Sequence, residues 1–219
     1  VPREGGGAAR GARRVRGAAR GRRVRILVVD HQDSFTWNLV HAFGALAASE
    51  PEVVDSRAID VAGVAARPPD LLVLSPGPGH PADPAASGRT LELLRALPPS
   101  APLFGVCFGL ELLAVHAGGR VVAAHEPVHG KPVAVRHDGH ALFEGVASGT
   151  PMMRYHSLVA DGATLRAPWR PIAWSPRDEV MALAADGRPA WAVQFHPESI
   201  GSPDGPRLLE NVVRLARRA

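Results

Sequence analysis

Short apolar runs that stop abruptly on turn residues recur along this chain, and they restrict its fold more than any other feature. Arg25-Ile26-Leu27-Val28-Val29-Asp30, Leu71-Leu72-Val73-Leu74 and Leu103-Phe104-Gly105-Val106 are the clearest. A run of aliphatic residues with no polar alternation predicts a strand buried on both faces. Helical patterns fill the gaps. Residues 34–48 place Phe35, Leu39, Phe43 and Leu46 on one face, with Asp33 or Ser34 available as N-cap. Residues 61–66, 90–97 and 110–117 read as further helices, and Val53-Val54 as a weaker strand. Strands alternating with helices imply βαβ units, hence an α/β fold with a mostly parallel, doubly wound central sheet and flanking helices. Pieces such as Val133-Ala134-Val135, within residues 121–184, predict a small antiparallel extension. Trp191-Ala192-Val193-Gln194-Phe195 is a late strand, and residues 207–218 form a closing amphipathic helix with Leu208, Val212 and Leu215 on one side.

Charge divides the chain into two regions. Residues 1–24 hold eight arginines and one glutamate, a balance of +7, so of the whole chain's +4 the remaining residues carry −3. A domain over residues 25–219 is therefore expected behind an Arg/Gly/Ala-rich tail. The tail's composition cannot offset the entropy of ordering it, so disorder is expected there. An over-extended start and an arm for an anionic surface are the other readings of the tail. The tail lacks the apolar core of a signal peptide, and no apolar run is long enough to span a bilayer. A single cysteine excludes an internal disulfide and argues against a cysteine-rich metal site. A cytoplasmic protein follows as the expectation, with no membrane or nucleic-acid partner for the domain, no metal and no cofactor.

That cysteine stands in Gly105-Val106-Cys107-Phe108-Gly109, between a predicted strand and a predicted helix. Small flanking residues permit a sharp turn that would lift the sulfur to the end of the sheet, where open α/β folds bind ligands. A helix N-terminus there would favour thiolate, and the Phe108 N–H would face a developing oxyanion. A buried core cysteine fits the same motif taken alone.

Gln194-Phe195-His196-Pro197-Glu198-Ser199 follows the last strand. Residues two apart in extended chain point to one side, so His196 and Glu198 project together, and Pro197 favours that geometry. Glu198 can fix the imidazole tautomer, and His196 can take a thiol proton and return it to a leaving amine. In isolation the segment also reads as a surface turn. Pro76-Gly77-Pro78-Gly79 closes a third strand. Pro78 has no N–H, so Gly77 or Gly79 would supply an oxyanion donor. A purely structural turn is the other reading. The phosphate-loop pattern is absent.

Six blocks in one order resemble the glutaminase subunit (component II) of anthranilate synthase and aminodeoxychorismate synthase, a class I glutamine amidotransferase family. They are Asp33-Ser34-Phe35-Thr36 with Asn38-Leu39; Ser75-Pro76-Gly77-Pro78-Gly79; Gly105-Val106-Cys107; His129-Gly130-Lys131; Arg154-Tyr155-His156-Ser157-Leu158; and Val193-Gln194-Phe195-His196-Pro197-Glu198-Ser199-Ile200. The resemblance runs from about residue 25 to the C-terminus and implies a flavodoxin-like sheet. It implies that Cys107 attacks the side-chain amide carbon of L-glutamine, with His196 as base and then acid and Glu198 orienting it. Gly77, Pro78, Gly79 and Phe108 would line the substrate and oxyanion site. Ser157 and Leu158 would hold the substrate's amino-acid end through their backbone. Ammonia would pass to a chorismate-using synthase subunit (component I), docked near residues 33–38 and 129–131, in tryptophan or folate biosynthesis.

The chain departs from that pattern after the nucleophile. The family reads Cys-x-Gly-x-Gln, whereas this chain has Cys107-Phe108-Gly109-Leu110-Glu111. Glu111 would share a helix face with Cys107 and, if ionised, would repel a substrate carboxylate and raise the thiol pKa. Weakened glutamine use is therefore expected, with the triad retained. His31-Gln32 replaces a commoner Asn-x, a difference expected to belong to the partner surface. A non-catalytic binding subunit on the same fold and a γ-glutamyl cysteine hydrolase are the alternatives in function.

Overall fold

In the computed structural model, residues 23–47 and 49–219 are described. The expected tail therefore lies outside the described residues except at its end, where Val24 is buried in the core. Ala48, placed in the first helix by its sequence pattern, also lies outside them.

The elements follow in the order β1 (Ile26–Asp30), α1 (Thr36–Ala47), β2 (Glu52–Asp55), α2 (Val61–Ala66), β3 (Leu71–Leu74), α3 (Pro84–Ser87), α4 (Thr90–Ala96), β4 (Leu103–Val106) and α5 (Phe108–His116). Then come β5 (Val121–Ala123), β6 (Lys131–His137), β7 (Thr150–Arg154), β8 (Leu158–Ala160), β9 (Trp169–Trp174), β10 (Val180–Ala185), β11 (Ala190–Val193) and α6 (Gly205–Ala216). A 9-stranded sheet runs β2-β1-β3-β4-β11-β10-β9-β6-β7, and β5 pairs with β8 apart from it. The β2 to β11 portion is parallel. From β11 outward every pairing is antiparallel, so the extension takes in β10, β9, β6 and β7.

Period-two alternation divides the core between two faces. Ile26, Val28, Leu71, Val73, Phe104 and Val106 pack with α1 and α6. Leu27, Val29, Leu72 and Leu74 pack on the opposite face with α2, α4 and α5. Phe43 and Phe104 meet at 6.2 Å between ring centroids, and each contributes roughly 1.5–3 kcal/mol by leaving water. Helix α5 is buried from Phe108 through Ala114, so its sequence is apolar nearly all round. It begins at Phe108, two residues earlier than the apolar pattern suggests, directly after Cys107.

Strand register sets the site. Val29 pairs with Leu74, Leu74 with Gly105, and Val106 with Val193. The C-terminal ends of β1, β3, β4 and β11 are therefore level. Order reverses between β1 and β3, the switch point at which α/β sheets open a crevice. Among the described residues no helix is long and apolar enough to cross a membrane.

Candidate active site

Four loops meet at this edge. The turn after β4 holds Cys107 at φ 53°, ψ −105°, a left-handed conformation that is costly for a residue with a β-carbon. It is anchored by the Cys107 N–H, which donates to the Val193 carbonyl at 2.8 Å. Both flanking glycines are required by close approach. A β-carbon on Gly105 would stand 2.5 Å from the Gly109 carbonyl oxygen, and one on Gly109 would collide with the carbonyl of Leu74. The sharp turn expected from Gly-x-Cys-x-Gly is thus present.

Cys107 is buried, and burial pushes its thiol well above the ordinary value. Glu111, Glu198 and Asp33 push the same way, while the Phe108 N–H opposes them. The helix N-terminus expected to favour thiolate is thus opposed in the free protein by desolvation and by three carboxyl groups.

His196 and Glu198 are brought together as their spacing predicts. Nδ1 lies 2.6 Å from Glu198 Oε1, with side chains 2% and 0% exposed. The carboxylate accepts a hydrogen bond from Nδ1–H, which fixes the tautomer and leaves the Nε2 lone pair free. That nitrogen is buried and has no hydrogen-bond partner. The loop itself is tied down, with His196 N–H donating to the Met153 carbonyl at 2.9 Å and Ser202 Oγ donating to the His196 carbonyl at 2.7 Å. The imidazole and the sulfur follow adjacent parallel strands but make no direct hydrogen bond. Such bonds are often long before substrate binds.

Gly77 is wedged between β1 and α5. A β-carbon there would meet His31 Cβ at 2.6 Å and Phe108 Cδ1 at 3.0 Å. Its backbone therefore runs beside the first residue of the nucleophile helix. Pro78 and Gly79 are exposed, and Gly79 takes φ +90°. His31 is only 3% exposed, so it does not belong to a partner surface. It spans Ser75 Oγ at 3.2 Å and Thr90 Oγ1 at 2.9 Å. Burial lowers its pKa to about 4, against the nearby Asp30 charge. It is a neutral brace beneath the glycine loop.

Ser157 and Leu158 come from the antiparallel half. Ser157 is exposed and its carbonyl accepts from Ala124 N–H at 2.8 Å. The preceding Tyr155 packs its ring 5.0 Å from His196 and 4.8 Å from Phe35. Behind them lies a buried relay. Arg154 Nε donates to His156 Nε2 at 2.7 Å, and the His156 Nδ1–H donates to the Leu158 carbonyl at 2.8 Å. Arg154 Nη2 bonds Glu179 Oε2 at 3.0 Å, both side chains being 4% exposed.

Glu111 shares a face with Cys107, as the spacing predicts, and is 3% exposed. Its partner is Gln194, whose Nε2 donates to Glu111 Oε1 at 2.9 Å and lies 3.9 Å from Cys107 Sγ. Burial raises the Glu111 pKa to about 7, and the Gln194 bond opposes this. Sequence reasoning left Gln194 without a role. The alternation that pairs His196 with Glu198 extends back to it and could have found it. Among the described residues, the buried side-chain atoms without partners are Gln194 Oε1, His196 Nε2 and Glu198 Oε2. Buried polar atoms are rarely left unpaired, and these three stand in one short loop.

Residues 27–215 match the family model "Glutamine amidotransferase class-I". The chain is 44% identical over 200 residues to the aminodeoxychorismate synthase of Streptomyces griseus, covering 89% of this chain and 26% of that protein. It thus spans about a quarter of that relative. It is 36% identical over 199 residues to anthranilate synthase component 2 of Leptospira biflexa, covering 87% of this chain and 99% of the relative. A solved Thermoplasma acidophilum protein, described as belonging to a GMP synthase, superposes with a TM-score of 0.79, at 24% identity, over 90% of this chain and 96% of its own. That likeness bears on the fold.

Proposed function

Because the chain belongs to the class-I glutamine amidotransferases, we propose that it hydrolyses L-glutamine through Cys107, His196 and Glu198 and delivers the ammonia to a chorismate-using synthase. One observation carries the reading: a strained cysteine elbow and a Glu198-held imidazole with a free, buried Nε2 cap neighbouring strands. In this mechanism the Cys107 thiol passes its proton to His196 Nε2, and the sulfur bonds to the side-chain amide carbon of glutamine. The tetrahedral oxyanion is held by the Phe108 N–H and by Gly77 or Gly79, each such donor being worth about 2.7–4 kcal/mol of barrier. His196 then protonates the leaving nitrogen, which departs as ammonia. Water, activated by the same imidazole, cleaves the thioester to glutamate. Ser157 and Leu158 hold the substrate's amino-acid end.

The synthase partner is supported by the names of both relatives, and one of the two segments assigned to it, residues 33–38, carries an exposed apolar side chain, Trp37, 55% exposed on α1. The product is anthranilate or aminodeoxychorismate, since relatives of each kind match most of this chain. The domain is taken as residues 25–219, behind a tail over residues 1–24. The test mixes the chain with the synthase. Cys107→Ala should abolish glutamine-dependent product and spare ammonia-dependent product, and equal loss of both would refute the division of labour. Glu111 favours a second reading, a binding subunit with a disabled thiol. Failure of a glutamine-like electrophile to label Cys107 in the complex would select it.

A further inference from the structure

Two ionisable groups share one amide donor beneath the proposed nucleophile. Gln194 Nε2 carries two hydrogens, and Glu111 Oε1 and Cys107 Sγ lie 2.9 Å and 3.9 Å from it. Glu111 N–H also donates to the Cys107 carbonyl at 3.2 Å, which fixes the two groups one helical turn apart. Among the described residues, no cation offsets the carboxyl. The charged groups acting on the sulfur are Glu111 from α5, Glu198 from the loop after β11 and Asp33 from the loop after β1, all of one sign. The group acting on Glu111 is the neutral Gln194. His196, from the same loop as Glu198, is the base that must accept the thiol proton.

We infer that Glu111 is a positioning residue for the nucleophile: the Cys107 thiolate forms in molecules whose Glu111 keeps its proton, and Gln194 donates to whichever of the two is ionised. This role rests on Cys107 being the attacking group. When the thiol ionises, its proton goes to His196 Nε2 and Glu111 retains its own. With Glu111 already ionised, the same step would place a second negative charge in the buried space around one amide, which like-charge pairs resist. The raised Glu111 pKa, about 7, puts the exchange in the neutral range. The substitution that sets this chain apart from its family pattern thereby becomes a control on the thiol.

The experiment follows Cys107, the chain's single cysteine, by its alkylation with iodoacetamide across a pH series. Glu111→Gln is the main variant, and Glu111→Met removes the same charge without adding an amide. The wild-type and variant rates should run together at acid pH and separate above neutrality, where the wild type flattens and the variants climb. A gap of about tenfold or more is expected near ~pH 8.5. Coincident profiles in whichever variant folds would overturn the role, because a packing residue would leave the profile shape unchanged. The separation without glutamine hydrolysis in any form would leave the role standing and sink the glutaminase reading. Hydrolysis with coincident profiles would do the reverse.

Discussion

Two glutamates buried to nearly the same degree are held in opposite ways. Glu179, on the antiparallel side, meets Arg154 Nη2 at 3.0 Å, the His125 N–H at 2.8 Å and Ser175 Oγ at 3.4 Å. Glu111, on the parallel side, has the Gln194 amide at 2.9 Å and an ionisable sulfur beyond it. A buried carboxylate with a cation and several donors is a fixed charge that organises backbone. One with a neutral partner beside a nucleophile is a charge that can come and go near neutral pH. The antiparallel half thus holds the rigid wall of the site and the parallel half its chemistry.

The largest effect should come from breaking the fixed pair. Arg154→Met leaves Glu179 buried without its cation and removes the donor to His156, so a loss of about 3–5 kcal/mol is expected in denaturant unfolding. Replacing both partners, Arg154→Met with Glu179→Leu, should recover most of that loss. If the double variant is no more stable than the single one, the pair is not the source of the effect.

The contrasting glutamate should behave in the opposite sense. Folded Glu111 keeps its proton up to about 7, against 4.5 for the ordinary side chain. Between those values the folded state binds more protons than the unfolded state, so stability falls as pH rises. The destabilisation is absent below the unfolded pKa, grows as pH rises toward the folded one and levels off above it. Glu111→Gln should therefore match wild type at ~pH 4 and exceed it by about 3 kcal/mol at ~pH 8. A pH-independent difference in thermal or denaturant unfolding would contradict this.

The same contrast explains what could be read from sequence. The parallel half was legible because buried parallel strands are unbroken apolar runs: Leu71–Leu74 and Leu103–Val106 form as their pattern predicts. The elbow and the His196–Glu198 pair were legible because each depends on spacing within a few residues. The antiparallel half was legible only as an extension expected within residues 121–184, without its pairings. Val180–Ala185 is buried throughout yet follows a turn-rich stretch, and although its sheet neighbours β9 and β11 flank it in the chain, the sheet continues only through the distant pairing of β9 with β6. The relay joining Arg154, His156 and Glu179 likewise depends on long-range pairing, since Glu179 is 25 residues from Arg154. His31 was misplaced on the surface because a histidine's burial depends on finding two hydroxyl partners, here Ser75 and Thr90.

A smaller effect should follow from cutting the relay at its last link. Arg154 donates to His156 Nε2, so His156 must be neutral with its proton on Nδ1. Burial and then the Arg154 charge lower its pKa to about 3, which keeps this state across working pH. Asparagine can imitate the Nδ1–H donor and glutamine the Nε2 acceptor. His156→Gln should release the Leu158 carbonyl and raise the KM for glutamine about tenfold with little change in kcat, whereas His156→Asn should raise it less. Steady-state glutaminase kinetics decide the order, and a larger KM in the Asn variant would break the proposed direction of the relay.

The smallest effect is expected where the two halves touch. Tyr155 leaves β7 and sets its ring against His196 at 5.0 Å, Phe35 at 4.8 Å and His129 at 5.4 Å. Its hydroxyl reaches Ser199 Oγ at 3.4 Å, a long bond for two hydroxyl groups. If the antiparallel half acts as a wall, the ring holds the imidazole in place and the hydroxyl matters little. Tyr155→Phe should then cost under ~1 kcal/mol in unfolding and change glutamine turnover less than about threefold. Tyr155→Ala removes the ring from three neighbours and should lower turnover well beyond that. Equal losses in the two variants would mean that the hydroxyl bond positions the base loop, and that Ser199 carries part of a function now given to packing.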